Sequence, residues 1–556
     1  MSMRIYTPAA AAARTMSVDF AFMTITLVTP LEREVYRKVP SGGTITAGTE
    51  TNSNYRFTQG DDAVNWDLNP NGTTGTDVYV SFNDTTIPTG SNKLIITSNH
   101  RWDVNSASYE MYIYDFVTDT WRDMSPHETN FTHDATAANY DYIQLEIFDG
   151  YFSNGSGTPV STPLSNFVEN GEVRVRMLSA SPTADLDWDF AQIQFVIDPS
   201  YLPADIVTTT GTEANEYTDL FTDDNTTNLT LTPSGNAVDS YLTFANVVMP
   251  PEGFNALFVE FTGWKTTSGT INLNLRNFTT GSWEPIKTGA SIVARATHYY
   301  VVEIGDWSNY IDSNNHMRVQ ITSAASATVV NLDFIQITMG MVPKADTPVT
   351  ANYGAIMNGT AASLGNIDTI SSTDELNGAN YLTITESNAT TGIPAHDTMG
   401  GKSLQVDFPF HVDPGTYPVG LIWNYRAASH TTVVVTPTIE TGGFNYQSLN
   451  TSFLYTLLAA NAMAATSDTA VLTSTTQAFR QGWFVEPLAN LWDSVDNRLK
   501  FRLATTTGLV NAEWDLSVDF VFLSYRWVPF EITPNPEQQM RGGTFFFGGD
   551  EQKKSF

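Results

Sequence analysis

Tyr112-Ile-Tyr-Asp-Phe-Val-Thr-Asp-Thr-Trp121 aligns without a gap with Asn274-Leu-Arg-Asn-Phe-Thr-Thr-Gly-Ser-Trp283. In each segment an alternating stretch leads to Asp or Asn followed by Phe, a polar turn comes next, and a Trp opens the return stretch. Alternation on both sides of a short polar turn predicts a β-hairpin. The sequence therefore repeats one hairpin in two successive regions.

A second strand follows each hairpin at a comparable distance, Val173-Arg-Val-Arg-Met-Leu178 in one region and Met317-Arg-Val-Gln-Ile-Thr322 in the other. Each region then ends with an apolar strand. An Asp precedes the aromatic or apolar run of that strand, and a proline follows the strand. Three such endings occur, at 186–203, 331–343 and 514–529. The endings indicate three copies in tandem, of which the third resembles the others only near its end.

The spacing of these copies, about 140 to 185 residues, is too long for a solenoid repeat, so each copy is expected to bury its own core. Thr, Val, Ile, Tyr, Phe and Trp are abundant and amphipathic helical patterns are scarce, which favours an all-β fold. The predicted organisation is an N-terminal arm (1–44), three β-sandwich modules (45–203, 204–343 and 344–529) and a C-terminal docking tail (530–556).

The charge composition restricts the partners. The chain has 27 Lys and Arg against 59 Asp and Glu, a formal net charge of −32. Nucleic acids and anionic lipids bind to clustered cations, so we expect no nucleic-acid partner and no membrane partner. The chain has no cysteine, which excludes disulfides, thiolate catalysis and cysteine zinc sites, but leaves the compartment open.

The two ends contain residues suited to assembly. The arm has one predicted strand, 18–28, and does not match a secretory signal, because Arg14 and Asp19 interrupt its apolar stretches. Exposed phenylalanines favour association, so the tail is expected to dock on a neighbouring subunit, or else on the third module of its own chain. The candidate assembly residues are Arg33, Arg37 and Lys38 in the arm and Arg541, Phe545, Phe546 and Phe547 in the tail.

Catalytic motifs are weak or absent. Gly400-Gly-Lys-Ser403 resembles the end of a phosphate loop, but His396 stands where that loop needs glycine and a strand-like stretch follows. The carboxylates of Asp185, Asp187 and Asp189 alternate along one strand and could share a face, as glycosidase carboxylates do. Solvent-facing acidic residues are the simpler interpretation, and we expect no enzymatic activity.

Two further features are candidate binding sites. Asp67, Asn69 and Asn71, with Gly72 in sixth place and Asp77 beyond, resemble the start of a calcium loop, although Val78 replaces the bidentate Glu. An ordinary Asn/Gly turn is the default, so no cofactor other than a structural calcium is expected. Trp121 and Trp283 recur at one position, which favours packing within the shared architecture, with a glycan-stacking platform as the alternative.

The repeated Tyr-Asp-Phe-x-Thr-x-Thr-Trp run, the Val-Arg-Val-Arg strand and the final apolar strand resemble jelly-roll β-sandwich modules. Such modules are similar to carbohydrate-binding modules and occur in extracellular proteins and in tailed-phage virion proteins. The resemblance covers copies one and two and the end of copy three. It implies three tandem antiparallel jelly-roll-like β-sandwich domains with a binding or building role, and it carries over no catalytic residue.

Three functional hypotheses follow. The first is a structural virion protein, such as a capsid decoration, tail or fibre component, that is assembled in a host cytoplasm as a homo-oligomer or with other structural subunits. The second is a cell-surface or filament-forming adhesin that binds surface glycans. The third is a secreted polysaccharide-active enzyme, which would depend on the Asp185, Asp187 and Asp189 trio. The first accounts together for the unmatched secretory signal, the missing cysteine, the assembly residues at both ends and the missing active-site motifs, so it is favoured.

Overall fold

The structure is a computed structural model, and strands dominate the part of the chain that it describes. The described residues are 37–51, 55–60, 65–72, 75–104, 107–124, 131–132, 140–150, 152–153, 159–160, 162–221, 223, 228–267, 269–323, 328–342, 356–358, 360–363, 382–385, 405–411, 417–429, 433–441, 445–448, 470–472, 478–485, 498–505 and 515–528. Within these ranges the only helical elements are four short 3-10 segments, Tyr55–Thr58, Leu164–Phe167, Tyr217–Leu220 and Trp307–Asn309. None of them has the length or apolarity that a membrane crossing would require.

The described part of copy one contains fourteen strands. They are β1 (Arg37–Lys38), β2 (Gly42–Ala47), β3 (Thr49–Glu50), β4 (Trp66–Asn69), β5 (Thr76–Phe82), β6 (Lys93–Trp102), β7 (Ser108–Asp115), β8 (Thr120–Asp123), β9 (Phe131–Thr132), β10 (Asp141–Phe148), β11 (Phe152–Ser153), β12 (Pro159–Val160), β13 (Val173–Ser179) and β14 (Leu186–Val196).

Among the described residues copy two has ten strands, and a short strand, β15 (Ser200–Tyr201), precedes them. The ten are β16 (Asp205–Thr210), β17 (Thr212–Ala214), β18 (Leu229–Thr232), β19 (Val238–Phe244), β20 (Ala256–Lys265), β21 (Thr270–Asn277), β22 (Ser282–Ser291), β23 (Ala296–Glu303), β24 (Met317–Ser323) and β25 (Val330–Gly340).

The described strands of copy three follow the same sequence of elements. They are β26 (Ile356–Asn358), β27 (Thr360–Ser363), β28 (Leu382–Thr385), β29 (Gln405–His411), β30 (Tyr417–Ser429), β31 (Val433–Thr441), β32 (Asn445–Ser448), β33 (Ala470–Leu472), β34 (Ala478–Val485), β35 (Arg498–Thr505) and β36 (Asp515–Val528).

The three copies have the same antiparallel topology. In copy one the first sheet has the order β10-β6-β14-β4-β3 and the second sheet has the order β2-β5-β13-β7-β8. The corresponding sheets are β23-β20-β25-β18-β17 and β16-β19-β24-β21-β22 in copy two, and β34-β30-β36-β28-β27 and β26-β29-β35-β31-β32 in copy three. The predicted all-β fold of three tandem jelly-roll-like sandwiches is therefore confirmed.

Period-two alternation explains how each sandwich closes. On β13, Val173, Val175 and Met177 are buried, whereas Arg174 and Arg176 lie between them and are only half-buried. Alternate residues of a strand point to opposite faces, so the apolar set fills the space between the two sheets and the arginines face outward. The outer face of the second sheet is thereby left with long polar and aromatic side chains.

The Asp-Phe pair of the final strands marks a β-bulge in every copy. Asp189 is skipped in the pairing of β14 with β6, Asp333 in that of β25 with β20, and Asp519 in that of β36 with β30. A bulge inserts one unpaired residue and turns the strand, so its recurrence explains why the same letters recur. The run Ser17-Val-Asp-Phe-Ala-Phe22 resembles Ser517-Val-Asp-Phe-Val-Phe522, but 17–22 lies outside the described residues.

The three final strands meet at one junction. Ile197, after β14, exchanges two backbone hydrogen bonds with Trp527 of β36, at 2.8 and 3.1 Å, and Met341, after β25, does the same with Leu523, at 2.6 and 2.9 Å. Gly340 lies so close to β36 that a Cβ there would overlap the Leu523 carbonyl oxygen. The copies are therefore joined by backbone pairing as well as by the connecting chain.

The expectation that each copy buries a separate core is wrong for copies two and three. Their buried side chains form one continuous cluster, in which Phe258 packs on Phe522 at 5.3 Å between ring centroids and Phe254 packs on Tyr525 at 4.8 Å. Residues 521–527 of β36 are all buried. A strand buried on both faces has a continuous run of buried residues instead of alternating ones, because it also packs against the neighbouring copy.

Four charged side chains come together where copies one and three meet, and Lys93, Asp198 and Arg526 are buried there, whereas Glu146 is partly exposed. Lys93 Nζ lies 2.5 Å from Asp198 and 2.8 Å from Glu146, and Arg526 Nε of copy three donates to Asp198 at 2.8 Å and pairs with Glu146 as well. Burial alone would raise the pKa of Asp198, but Lys93 and Arg526 outweigh it and hold that pKa at about 2. We call these four residues the junction charge cluster.

Candidate functional site

The repeated hairpin places a Trp on the outer face of the second sheet in copies one and two. Trp121 of β8 lies opposite Tyr114 of β7, and Trp283 of β22 lies opposite Arg276 of β21. Both indole rings are half-buried and outside the core. In copy three Tyr446 occupies the equivalent register position.

The Asp or Asn of the repeated segment organises the hairpin turn. Asp115 is fully buried, and its Oδ1 accepts hydrogen bonds from the backbone N–H of Val117 and Thr118 at 3.0 and 3.1 Å. Burial opposes ionisation of this carboxyl, but these bonds and the Arg122 guanidinium lower its pKa below the usual value. In copy two Asn277 accepts from the Thr280 N–H at 3.0 Å, so an amide fulfils the same role.

Rings and guanidinium groups are interleaved around Trp121. Tyr114 packs against Trp121 edge to face at 4.9 Å between centroids, and Tyr79 lies 5.6 Å from it. Arg174 lies over Tyr114 at 5.2 Å and Arg176 over Trp121 at 5.5 Å, which are cation–π distances. We call these five residues the first aromatic face.

Both arginines of the first aromatic face are paired with carboxylates. Arg174 donates to Glu172 at 2.9 and 2.7 Å, and Arg176 donates to Asp77 through two bonds of 2.6 Å. The Arg174 guanidinium lowers the pKa of Glu172. Bidentate pairs of this kind fix the guanidinium planes and satisfy most of their donors.

Copy two carries an equivalent group of residues, which we call the second aromatic face. Tyr241 and Trp283 lie 5.9 Å apart, Arg276 stands over Trp283 at 5.2 Å, and Arg318 stands over Tyr241 at 5.4 Å. A shallow pocket of about 220 Å³ opens here. Its lining residues are Thr209, Asp239, Tyr241, Arg276, Trp283, Arg318 and Gln320.

The arginines of the second aromatic face lack close carboxylate partners. The Nε of Arg318 is buried without a hydrogen-bond partner, and the nearest carboxylate to that side chain, Asp312, lies 3.9 Å from Nη2. No carboxylate among the described residues forms an ion pair with Arg276. Asp239, the counterpart of Asp77, instead accepts from the Gln320 side-chain amide at 2.7 Å.

The sequence predicted Trp121 and Trp283 as candidates but missed the arginines beside them. Both arginines lie inside the segments that define the repeat. Arg276 has the register position that Tyr114 has in copy one, and Arg318 has that of Arg174. An alignment of the two copies would have indicated these arginines, because His316 stands at the position of Glu172 and Gln320 at that of Arg176.

Of the three aspartates considered for catalysis, Asp189 is separated from the other two. Asp187 pairs with Arg101 at 2.6 Å, and burial with the neighbouring Asp67 raises its pKa to about 6. Asp189 is the bulge residue, is buried, and accepts from the Asn99 amide at 3.3 Å. The bulge breaks the alternation that would have put Asp189 on one face with Asp185 and Asp187.

The candidate calcium ligands are divided between the two sheets. Asp67 and Asn69 lie on β4 of the first sheet, and Asn71 lies in the turn after it, closed by backbone hydrogen bonds with Gly75 at 3.0 and 3.1 Å. Asp77 lies on β5 of the second sheet and is held by Arg176. Within the described ranges no group of three acidic or histidine side chains has the geometry of a metal site.

The candidate assembly residues are only partly within the described structure. β1, which contains Arg37 and Lys38, pairs with Gln194 and Ile193 of β14 in its own chain. This pairing matches that of β15 with β25, so the segment entering copy one is held as the segment entering copy two is. Arg33, Arg541, Phe545, Phe546 and Phe547 lie outside the described residues.

Comparison with known proteins gives structural similarity without sequence similarity. No protein family and no curated protein matches the chain. A tandem of two family-22 carbohydrate-binding modules from Paenibacillus barcinonensis Xyn10C is 12% identical, with 55% of this chain and 93% of that chain covered and a TM-score of 0.20.

Two other solved structures are similar to smaller parts of the chain. A family-61 carbohydrate-binding module in complex with β-1,4-galactotriose is 7% identical, with 33% of this chain and 98% of that chain covered and a TM-score of 0.18. The tailspike protein 4 of bacteriophage CBA120 is 11% identical, with 24% and 19% covered and a TM-score of 0.17. Scores this low support no functional conclusion, so function has to be argued from the two aromatic faces.

Proposed function

We propose that copies one and two bind carbohydrate chains through the outer face of the second sheet, and that the protein has a binding role and no catalytic one. The observation that carries this proposal is the duplicated set of half-exposed Trp, Tyr and Arg side chains at equivalent register positions. The apolar face of a pyranose ring packs on an aromatic plane, and guanidinium and hydroxyl groups beside it hydrogen-bond the sugar hydroxyls.

The position of these rings favours a ligand over a purely architectural role. The core of copy one is already filled by the inward residues of both sheets, such as Ile96 of the first sheet and Val80 and Val175 of the second. Trp121 and Trp283 lie on the opposite side of their sheet, where strands usually carry small polar residues. Large rings that remain half-exposed gain little from folding, and their exposed planes provide surface for a partner.

A structural subunit of a virion, or of another large assembly, is the second candidate. The observation that favours it is the junction, where backbone pairing and the junction charge cluster join the three copies in one compact unit. Such a unit suits a projecting component that displays two glycan-binding faces at a fixed spacing. Under either proposal the protein works at a cell or particle surface.

A glycan array followed by titration calorimetry on the full-length chain tests the binding proposal. The test variant is Trp121→Ala with Trp283→Ala, and the matched control is Val117→Ala with Val293→Ala, which changes two exposed apolar side chains of the same copies. We expect the wild type and the control to bind one glycan class and the Trp variant to lose that binding. Absence of any glycan ligand, or unchanged binding by the Trp variant, would refute the proposal.

Light scattering of the full-length chain tests the second candidate. A defined oligomer or polymer that forms as the concentration rises would support a structural subunit. A compact monomer at every concentration would leave glycan binding as the better account of the molecule.

A further inference from the structure

The two aromatic faces differ in how their arginines are used. Arg174 of copy one gives its Nε–H to Glu172 at 2.9 Å. Its counterpart Arg318 has a buried Nε with no partner, because His316 stands where copy one has Glu172. A buried donor without an acceptor is unfavourable, and no protein acceptor among the described residues holds this edge of the guanidinium. A ligand would contact the rest of the Arg318 side chain, which is 32% exposed and lines the pocket.

A second substitution adds to this difference. Gln320 replaces Arg176, so Asp239 is satisfied by a neutral amide and not by a guanidinium. Arg276 replaces Tyr114 and brings a guanidinium above the Trp283 ring at 5.2 Å. The pocket is therefore lined by two arginines and one aspartate, in a chain whose net charge is −32.

Guanidinium groups stacked on aromatic rings are suited to oxyanions. Arginine presents a planar fork of donors that matches a carboxylate or a sulfate, and such charge-assisted bonds are stronger than bonds to a hydroxyl. Arg276 stands over the Trp283 ring and also lines the pocket, so its guanidinium lies within reach of a ligand bound there. A neutral sugar would use Trp283 and leave most of this donor capacity unused.

We propose that the second aromatic face binds an acidic sugar residue of a glycan chain, with Arg276 and Arg318 on its carboxylate or sulfate and Trp283 under its ring. This inference rests on the proposed glycan-binding function and specifies the ligand class for copy two. Copy one, whose arginines are already paired, accepts neutral sugars. One chain thereby presents two faces of different charge preference.

The test uses full-length protein carrying Trp121→Ala, so that only the second aromatic face contributes. Calorimetry compares an oligogalacturonate with the same oligomer as its methyl ester, and a sulfated galactan oligosaccharide with its desulfated form. We expect the acidic member of one pair to bind tenfold or more tightly, a ratio on the order of one charge-assisted hydrogen bond. The pair that shows the difference identifies carboxylate or sulfate as the recognised group.

The arginine variants link this preference to the pocket. Arg276→Gln with Arg318→Gln should remove the preference for the acidic form and leave the neutral form unaffected. Arg295→Gln is the control for the loss of positive charge, because Arg295 lies in the same copy but pairs with Asp333 of the first sheet. If the Gln variant does not fold, the alternative is Arg276→Lys with Arg318→Lys, which keeps the positive charge but lacks the planar set of guanidinium donors. This variant should lower the affinity for the acidic form only.

Two outcomes would overturn the inference, and they differ from each other. Equal binding of acidic and neutral members, abolished by Trp283→Ala, would leave glycan binding intact and refute the charge preference. No binding of any member, by the wild type or by the variants, would refute the proposed function and the inference together.

Discussion

Copies one and two share the order of ten strands and a Trp at the same register, yet they use charge in different ways. In copy one the arginines of the aromatic face are paired with Glu172 and Asp77, and Lys93 is buried in the junction charge cluster. In copy two Arg318 keeps an unpaired buried Nε and Arg276 stands on a ring. Copy one uses its charges for structure, whereas copy two leaves two available for a ligand.

This contrast shows how a duplicated fold can acquire two surfaces. The inward residues of each strand are constrained by the core, so they change little in character between the copies. The outward residues are constrained only by their neighbours on the same face. A change at two outward positions, those of Glu172 and Arg176, is enough to release a guanidinium from its partner.

The largest expected effect is at the junction charge cluster, where copy one uses its charges for structure. Arg526→Met would leave the buried Asp198 and the partly exposed Glu146 with Lys93 as their single cation. Removal of one partner from a buried ion group is expected to lower the free energy of unfolding by about 3 to 5 kcal/mol. Urea denaturation of the full-length chain measures this change.

A matched control for that variant is Arg101→Met, which removes a more exposed arginine paired with Asp187. We expect the control to lower stability by about 1 kcal/mol or less. A loss for Arg526→Met as small as that of the control would show that the junction charges contribute nothing particular to the structure.

Acid should weaken the same cluster by a smaller amount. Although burial opposes ionisation, Lys93 and Arg526 lower the pKa of Asp198 from 3.8 to about 2, and they lower that of Glu146 as well. A depressed pKa gives stability that is present above the unfolded value and is lost as the pH falls toward the folded value. For Asp198 the shift is worth about 2 kcal/mol, lost between pH 4 and 2.

Thermal unfolding followed between pH 6 and pH 2.5 checks this expectation. The wild type should lose stability more steeply below pH 4 than Asp198→Asn, which lacks the titrating carboxyl and is already less stable at pH 6. Parallel pH profiles of the two proteins would contradict the assignment of the acid-sensitive charge to Asp198.

Glu172→Gln would make copy one resemble copy two. Arg174 would keep its place over Tyr114 but lose the charged acceptor of two of its donors. We expect stability to fall by about 1 kcal/mol, as for a half-exposed ion pair, and the affinity of copy one for acidic sugars to rise. Calorimetry on a Trp283→Ala background isolates copy one, and an unchanged preference for neutral sugars would disconnect pairing from specificity.

Local patterns in the sequence were sufficient for the strands and the hairpin turn. Alternation placed Arg174 and Arg176 outside the sandwich, and Asp115 forms the turn that its position before Phe predicted. The bulge at Asp189 could not be predicted, because it depends on which residue of β6 lies opposite. Such a register is a property of two strands together.

The junction was beyond prediction for a related reason. Arg526 and Glu146 are separated by 380 residues, and no local pattern links them. The aromatic faces lie between these cases. Their arginines stand in the repeated segments, but whether a guanidinium is paired depends on neighbours across two strands, such as Asp77 on β5 and Arg176 on β13.

The smallest expected effect on stability is in copy two. Arg318→Gln removes a guanidinium that stands over Tyr241 but whose Nε has no partner and whose nearest carboxylate lies 3.9 Å away, so the main interaction lost is the ring contact. The free energy of unfolding should fall by about 0.5 kcal/mol, the lower end for an exposed cation–π contact. Its counterpart Arg174→Gln breaks two hydrogen bonds to Glu172 and should lower the free energy of unfolding by more.

Urea denaturation of the two variants compares the copies directly. A larger loss for Arg318→Gln would mean that Arg318 supports the fold, and the distinction between the two aromatic faces would fail.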